Sequence, residues 1–177
     1  ISGRDGAKLD DAVMSAEARG APRGAIEAAP LDVADLAAVA RVAAAIEASH
    51  GGVDVLVNSA GVNVPKRYWK ETDATTFAAV VAINLNGATA CTMAVLNGMR
   101  ARRRGTVINV ASFAGWVLGY LTGPAYTASK AGMIALSHSF NIEECVNGLR
   151  ATVLCPGEAA TPILKKRPVE PSDEEKA

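Results

Sequence analysis

The sequence of 177 residues predicts one α/β domain, built on a doubly wound parallel β-sheet with helices on both faces. Short apolar segments, each followed by turn residues, alternate with longer segments whose apolar positions recur about every 3.6 residues. The connections between the apolar segments are long enough for right-handed crossover helices. In such a sheet, ligands bind beyond the carboxyl ends of the strands, so a functional site is expected there.

Five segments are assigned as strands or strand ends. The last three are rich in Val, Ile and Leu and are bounded by turn residues, which is typical of buried parallel strands. The first is short, and the second is weak because alanine and glutamate dominate it. In chain order the segments cover residues 1–5, 25–29, 53–57, 106–111 and 150–155.

Four segments have helical periodicity with recognisable starts or stops. Asp5 or Gly6 begins the first helix, and Asp32 precedes the second. Pro124 suits the first position of the last helix, because proline has no N–H to leave unpaired. The third is one long helix or two abutting helices, and the arginines at its end either suit the helix dipole or bind phosphate. The segments cover residues 6–19, 34–49, 73–104 and 124–147.

Composition argues against several classes of function. Lys and Arg together number 18, as do Asp and Glu, so the formal net charge of zero does not favour nucleic acid or anionic membranes. No apolar run approaches the ~20 residues of a membrane-spanning helix. The cysteines and histidines have no metal-ligand spacing: Cys91, Cys145, Cys155, His50 and His138. We expect core thiols, no metal, and a reducing, cytoplasmic compartment.

One helix carries two side chains that together can transfer a proton. Tyr126 and Lys130 are four residues apart, so they project from the same face one turn apart. An ammonium group beside a phenol lowers the tyrosine pKa from its free value near ~10. Such a tyrosine can exchange a proton near neutral pH. By itself, the same spacing also fits an exposed helical pair without chemistry.

Polar residues at predicted strand ends add to this pair. Asn58, Ser112 and Gly157 lie just beyond three strands, so a parallel sheet brings them to one edge. Asn84 interrupts an apolar helical stripe, and a buried amide must find hydrogen-bond partners. Asn84 is therefore either a satisfied core residue or part of the site.

In their order along the chain, these residues resemble the classical short-chain dehydrogenase/reductase family, whose fold is Rossmann-like. The matching features are Asn58-Ser59-Ala60-Gly61, Asn84, Ser112, Tyr126-x3-Lys130, and Pro156-Gly157 with Thr161 beyond. The resemblance covers nearly the whole chain, except that the family's opening strand and glycine-rich turn have no counterpart. We therefore expect a fragment that lacks both family ends and is inactive and poorly folded alone.

The resemblance implies hydride transfer between a nicotinamide cofactor and an alcohol or carbonyl carbon. Tyr126 would exchange the proton with the substrate oxygen, and Lys130 would lower the pKa of Tyr126 and hold the nicotinamide ribose. Ser112 would donate a hydrogen bond to the substrate oxygen, where charge develops. Asn84 would order a water that links Lys130 to solvent.

The resemblance also implies cofactor contacts along the whole edge of the sheet. Arginine after the first strand suits the 2′-phosphate of NADP, whereas an acidic residue would suit NAD, so NADP is the favoured cofactor. Asp32 would contact the adenine, but a helix cap explains it nearly as well. The cofactor-binding residues would be Arg4, Asp32, Val33, Asn58, Ala60, Gly61, Tyr126, Lys130, Pro156, Gly157 and Thr161.

The sequence leaves the substrate open within the small-molecule alcohols and carbonyls. A 3-oxoacyl thioester reductase and a polyol, sugar or steroid dehydrogenase all fit. Trp116, Leu118 and Tyr120 either form an apolar wall or pack their own loop. The alternative class is a non-catalytic cofactor sensor or scaffold of the same fold. The resemblance further implies a homo-oligomer, a dimer or tetramer, paired through the long helices.

Overall fold

The structure, a computed structural model, describes residues 1–157. Strands and helices alternate along the chain, and all strand pairs are parallel, which confirms the predicted Rossmann-like α/β class. The strands are β1 (Ser2–Gly3), β2 (Ala29–Pro30), β3 (Val55–Asn58), β4 (Gly105–Val110) and β5 (Leu149–Leu154). The helices are α1 (Gly6–Ala18), α2 (Leu36–His50), α3 (Ala74–Val81), α4 (Gly87–Arg102) and α5 (Pro124–Glu144).

Within the described residues the strands form two sheets, β1–β2 and β3–β4–β5. The helices α4 and α5 pack on one face of the three-stranded sheet, and α2 packs on α4. The core between them contains Ala43, Val95, Met99, Val107, Leu149 and Ala151. Residues of alternate parity, such as Val55 and Val57 on β3, are exposed on the opposite face of this sheet.

Two predicted boundaries near the second strand are wrong. The strand lies at Ala29–Pro30, whereas the segment before it forms a turn in which the amide of Ala25 donates to the carbonyl of Pro22. The following helix begins at Leu36, because the Asp35 carboxylate accepts the amide of Ala38 at 2.9 Å and caps the first turn. Asp32 therefore does not cap the helix.

The long third helix is continuous but changes its winding once. Asp73 caps α3, and a π-helical turn at Ala82–Asn86 joins α3 to α4. By length and composition the run Ala74–Arg102 could cross a membrane, although core helices of soluble proteins pass the same test. A search for uninterrupted apolar residues does not find this run, because polar residues interrupt it. Here α4 packs against β3, β4 and α2.

The arginines at the end of α4 bind other parts of the chain. The Arg102 guanidinium donates to the carbonyl of Val53 at 2.9 Å, and Arg104 pairs with Asp54 at 3.0 Å. Arg100 forms an ion pair with the buried carboxylate of Glu144, and Arg103 donates to the carbonyl of Val146. These contacts favour the structural interpretation of the arginines over a phosphate-binding patch.

The cysteines are free, but they are not all in the core. Cys91 and Cys155 are half-buried, and burial raises the pKa of the Cys91 thiol. Cys145 is exposed, because it lies in the short 3-10 turn Cys145–Asn147 that follows α5. The expectation of a core thiol is therefore wrong for Cys145.

Candidate active site

The loops that follow β3, β4 and β5 leave the three-stranded sheet at the same edge. The strands are in parallel register, with Asn58 opposite Asn109 and Val110 opposite Leu154. The amide of Phe113 donates to the carbonyl of Pro156 at 2.8 Å and joins the second loop to the third. The structure thus brings the segments around Asn58, Ser112 and Gly157 to one edge, as their positions after strands predict.

Tyr126 and Lys130 form a contact pair on the first turns of α5. The Lys130 ammonium nitrogen lies over the Tyr126 ring, 5.7 Å from its centroid. Lys130 is only 3% exposed and donates to the carbonyl of Val110 at 2.7 Å. Burial lowers the pKa of Lys130 to about 8. The alternative of an exposed helical pair is therefore wrong, because Lys130 is enclosed at the end of β4.

Ser112 enters the site through a close contact between its loop and α5. The Ser112 hydroxyl oxygen accepts the amide of Ala114 at 3.2 Å and caps the short 3-10 turn Phe113–Gly115. That turn packs directly on α5: a Cβ added to Gly115 would lie 2.6 Å from the carbonyl carbon of Lys130. Only glycine allows this approach, which holds the Ser112 loop against the helix that carries Tyr126.

Asn84 is fully buried in the π-helical turn and clamps the loop after β3. Its amide nitrogen donates to the carbonyl of Val62 at 2.9 Å and to the Ser129 hydroxyl at 3.1 Å. Its oxygen accepts the amide of Val62 at 2.8 Å. The prediction that this buried amide finds partners is confirmed. The bonds match those of a satisfied core residue, and they place Asn84 beside Gly61 and Lys130.

The Asn58 side chain points into the core. Its amide nitrogen donates to the Asn109 side chain at 2.9 Å and to the Thr92 hydroxyl at 3.1 Å. Asn109 in turn donates to the Ser137 hydroxyl at 2.9 Å on α5. A cofactor could therefore meet only the backbone of Asn58. The sequence interpretation missed Asn109, although a polar residue within an apolar strand gives the same signal that identified Asn84.

The other predicted cofactor residues within the described range lie in loops that follow strands. Arg4 is exposed directly after β1. Asp32 accepts the amide of Ala34 at 3.0 Å in the loop after β2. Val33 packs on the start of α4, where a Cβ on Gly87 would lie 2.6 Å from its methyl group. The backbone positions at the loops after β3 and β5 are exposed, namely Ala60, Gly61 and Gly157, with Pro156 beside them. Thr161 lies outside the described residues.

Two loop residues that no motif indicated connect the loop after β3 to the segment before α5. Asn63 donates through its amide nitrogen to the carbonyl of Thr122 at 3.0 Å. Arg67 is buried and donates to the carbonyls of Val64 at 2.7 Å and Leu121 at 3.4 Å. From the sequence alone, an arginine in a polar loop is predicted to be exposed to solvent. Only the tertiary structure reveals that Arg67 joins the loop after β3 to the segment before α5.

This arrangement can move a proton and hold a ribose. The Lys130 ammonium has three donors, of which the Val110 carbonyl takes one and the Met133 sulfur a second, and the missing side chain of Gly61 leaves space beside it. These residues fit a nicotinamide ribose at the edge of the sheet. Among residues 1–157, no group of three or more His, Cys, Asp or Glu side chains is placed to hold a metal ion.

Comparison with curated proteins finds oxidoreductases. The chain is 34% identical over 139 residues to a cis-4-hydroxycyclohexanecarboxylate dehydrogenase of Sinomonas cyclohexanicum, covering 78% of this chain and 55% of that protein. It is 35% identical over 145 residues to a protein of Streptomyces virginiae described as a ketoacyl reductase of the monensin polyketide synthase, covering 77% of this chain and 52% of that protein. The chain thus spans about half the length of these relatives.

Solved structures share the architecture around the site. A metagenomic short-chain oxidoreductase in complex with NADP superposes with a TM-score of 0.79 at 32% identity, over 89% of this chain and 69% of that one. The family model described as short chain dehydrogenase matches residues 2–171, a range that includes Ser112, Tyr126 and Lys130. With sequence, fold and site geometry in agreement, the chain belongs to the short chain dehydrogenase family.

Proposed function

We propose that the protein containing these residues is an NAD(P)-dependent oxidoreductase that interconverts a secondary alcohol and its ketone. The nicotinamide, when bound, supplies or accepts the hydride. The observation that carries the proposal is the buried Lys130 ammonium over the Tyr126 ring, beside the loop of Ser112. A cation enclosed beside a phenol has no evident role in folding, because burying it costs free energy.

The side chains of the site exchange the proton, bind the ribose and orient the substrate. Tyr126 holds the proton that passes between its hydroxyl oxygen and the substrate oxygen. Lys130 places its ammonium over the Tyr126 ring and binds the ribose, and Ser112 orients the substrate oxygen. Asn84 fixes the backbone at Val62, beside Gly61 and Lys130, and in this proposal it orders a water that links Lys130 to solvent.

Two observations support NADP as the cofactor. Arg4 is exposed after β1, the position where a positive charge can meet a 2′-phosphate. The similar metagenomic oxidoreductase was crystallised with NADP.

Two substrate classes have support from relatives. One relative is named for the oxidation of a ring-shaped hydroxy acid, and another is described as a ketoacyl reductase. We propose the hydroxy acid and keto acid class first, and 3-oxoacyl thioesters as the second candidate. Polyols, sugars and steroids would undergo the same type of reaction, but neither of these two relatives is named for such a substrate.

We also propose a cytoplasmic homo-oligomer. The free cysteines fit a reducing compartment. The α4 and α5 helices border an open groove of about 450 Å³ and expose Met93 beside it. A second subunit covering this face would bury these side chains. Light scattering of the whole protein measures the oligomeric state directly.

Replacing Tyr126 by phenylalanine tests the catalytic proposal. In the whole protein, Tyr126→Phe removes the proton donor but keeps the ring, so we expect turnover to fall at least about 100-fold while NADPH binding stays within about threefold. Steady-state kinetics and fluorescence titration with NADPH give the two quantities. His138→Gln, an exposed change on the same helix, serves as the control.

Unchanged turnover in Tyr126→Phe would refute the mechanism. A wild-type protein that binds NADPH but turns over neither substrate class would instead support the non-catalytic alternative.

A further inference from the structure

A groove of about 420 Å³ lies between the loop after β3 and the segment that leads into α5. Aromatic and aliphatic side chains dominate it. The residues that line it are Tyr68, Trp69, Lys70, Leu118, Gly119, Tyr120, Gly123, Pro124 and Thr127. Of these, only Lys70 carries a charge, so the groove combines an apolar surface with a single positive group.

The two walls of the groove are held together before any ligand binds. The rings of Tyr68 and Tyr120 stack across it, with centroids 4.8 Å apart. The hydrogen bonds of Asn63 and Arg67 to the carbonyls before Gly123 join the same two segments. Gly123 has a φ of 74°, and a Cβ there would lie 2.3 Å from the Arg67 carbonyl oxygen. A preformed groove binds a ligand with less loss of conformational entropy.

The groove lies against the first turn of α5, which carries Tyr126. Gly123, Pro124 and Thr127 line it, and these residues flank Tyr126 on both sides in the sequence. The hydroxyls of Thr122 and Thr127 are 2.8 Å apart and fix this entry to the helix. The groove therefore borders the turn of α5 that carries Tyr126, although Tyr126 itself does not line it.

The groove exposes far more apolar surface than a packed loop would. Trp69, Leu118 and Tyr120 are 80%, 78% and 77% exposed. Trp116, which does not line the groove, is also exposed, so of the two alternatives for this loop the exposure does not favour packing of the loop on itself. Large exposed aromatic side chains beside a reacting residue are typical of a binding surface.

We propose that this groove selects the substrate, and that it binds the ring-shaped apolar body of a hydroxy acid or keto acid whose carboxylate pairs with Lys70. Trp69 and Tyr120 offer flat surfaces to the ring, and Lys70 offers the charge. The inference rests on the proposed oxidoreductase function, since it assigns the selectivity of that site.

Ligand binding to the groove can be measured without turnover. In the whole protein, the difference in emission between Trp116→Phe and the double variant Trp116→Phe, Trp69→Phe isolates the Trp69 fluorescence. In the Trp116→Phe background we expect cyclohexanecarboxylate to quench the Trp69 fluorescence saturably, and Lys70→Gln to weaken its binding about tenfold. Lys66→Gln, an exposed change in the same loop that does not line the groove, is the control. Quenching that does not saturate, or that Lys70→Gln leaves unchanged, would refute the proposal.

Kinetics of the whole protein separate selectivity from catalysis. For a cyclic keto acid we expect Trp69→Ala to raise KM about tenfold at nearly constant kcat, with no change in KM for a short acyclic ketone. Equal KM values for wild type and Trp69→Ala with the cyclic substrate would overturn the groove assignment while leaving the oxidoreductase proposal intact. The wild-type protein could instead bind the ligand in the fluorescence titration but show no turnover. That result would refute both the oxidoreductase function and the role of the groove in substrate selection, and it would leave only a ligand-binding groove.

Discussion

At the scale of single residues, the proposed chemistry depends most on the enclosure of Lys130. Its ammonium lies within a buried corner formed by the end of β4, the Tyr126 ring and the thioether of Met133, 3.6 Å away. Desolvation lowers the pKa of Lys130 to about 8, so its positive charge is lost as the pH rises through that value. Burial of the ammonium is therefore costly for folding below that pH, and the proposed function is what gives the cost a purpose.

This cost predicts how stability depends on pH. Below pH 8 the folded and unfolded states both carry the Lys130 proton, but between about pH 8 and the unfolded pKa of 10.5 only the unfolded state retains it. The free energy of unfolding therefore gains a contribution as the pH rises through that window. Between pH 7.5 and 9.5 we expect wild type to gain on the order of 1–2 kcal/mol relative to Lys130→Met.

Urea denaturation of the whole protein without cofactor, at both pH values, measures this difference. Lys66→Met, which replaces an exposed lysine, should run parallel to wild type across the same range. If the difference between wild type and Lys130→Met does not change with pH, the burial of the charge does not control its protonation.

At the scale of the secondary-structure elements, a buried chain of polar side chains locks the strands to the helices. Asn58 on β3 donates to Asn109 on β4, and Asn109 donates to Ser137 on α5. Ser137 in turn donates to the carbonyl of Met133, one turn closer to Lys130. Because every link is buried, each partner left without its hydrogen bond costs free energy. This network therefore sets the position of α5 relative to the sheet.

A double-mutant cycle tests the central link of this network. We expect Asn109→Ala and Ser137→Ala each to lower the free energy of unfolding by about 1–3 kcal/mol, since each leaves a buried polar partner unsatisfied. The double variant should lose less than the sum, because both changes remove the same bond.

Urea denaturation of the three variants and of the control Ser139→Ala gives the coupling energy. A sum that is strictly additive would show that Asn109 and Ser137 do not act as one network.

At the scale of the whole molecule, the site depends on segments from most of the described chain. The loop after β2 reaches α4 through Val33, the loops after β3 and β4 contact the start of α5, and the loop after β5 is hydrogen-bonded to the loop after β4. A cofactor that spans this edge would connect the two sheets, which share no strand pairing within the described residues. Its binding should therefore stabilise the fold as well as supply the chemistry.

Thermal melting of the whole protein measures this stabilisation. A ligand at about 100 times its Kd adds about 2.7 kcal/mol to the free energy of unfolding, so we expect NADPH to raise Tm by about 5 °C or more. NADH should raise Tm less, and Arg4→Gln should remove most of the difference between the two cofactors. Arg19→Gln, an exposed change at the end of α1, is the control. A larger shift with NADH than with NADPH would contradict the preference for NADP.

The contrast between Asn84 and Asn58 shows how far sequence reasoning reaches. A single amide side chain in an apolar helical stripe is predicted to be buried and to have hydrogen-bond partners. Asn84 is buried, and its side chain forms three such bonds. Asn58 stands at a strand end, where the two sides of the strand face different surroundings. Its pattern cannot tell which way the side chain points, and the structure directs it into the core.

By itself, the sequence determined the alternation of strands and helices, and the placement of Ser112, Tyr126 and Lys130 at one edge of the sheet. These follow from periodicity and parallel topology, which depend on local residue types. Only the tertiary structure decided the enclosure of Lys130, the inward turn of Asn58 and the groove beside α5. Those features depend on contacts between residues far apart in the chain, such as Arg67 with Leu121, and no local pattern encodes such a contact.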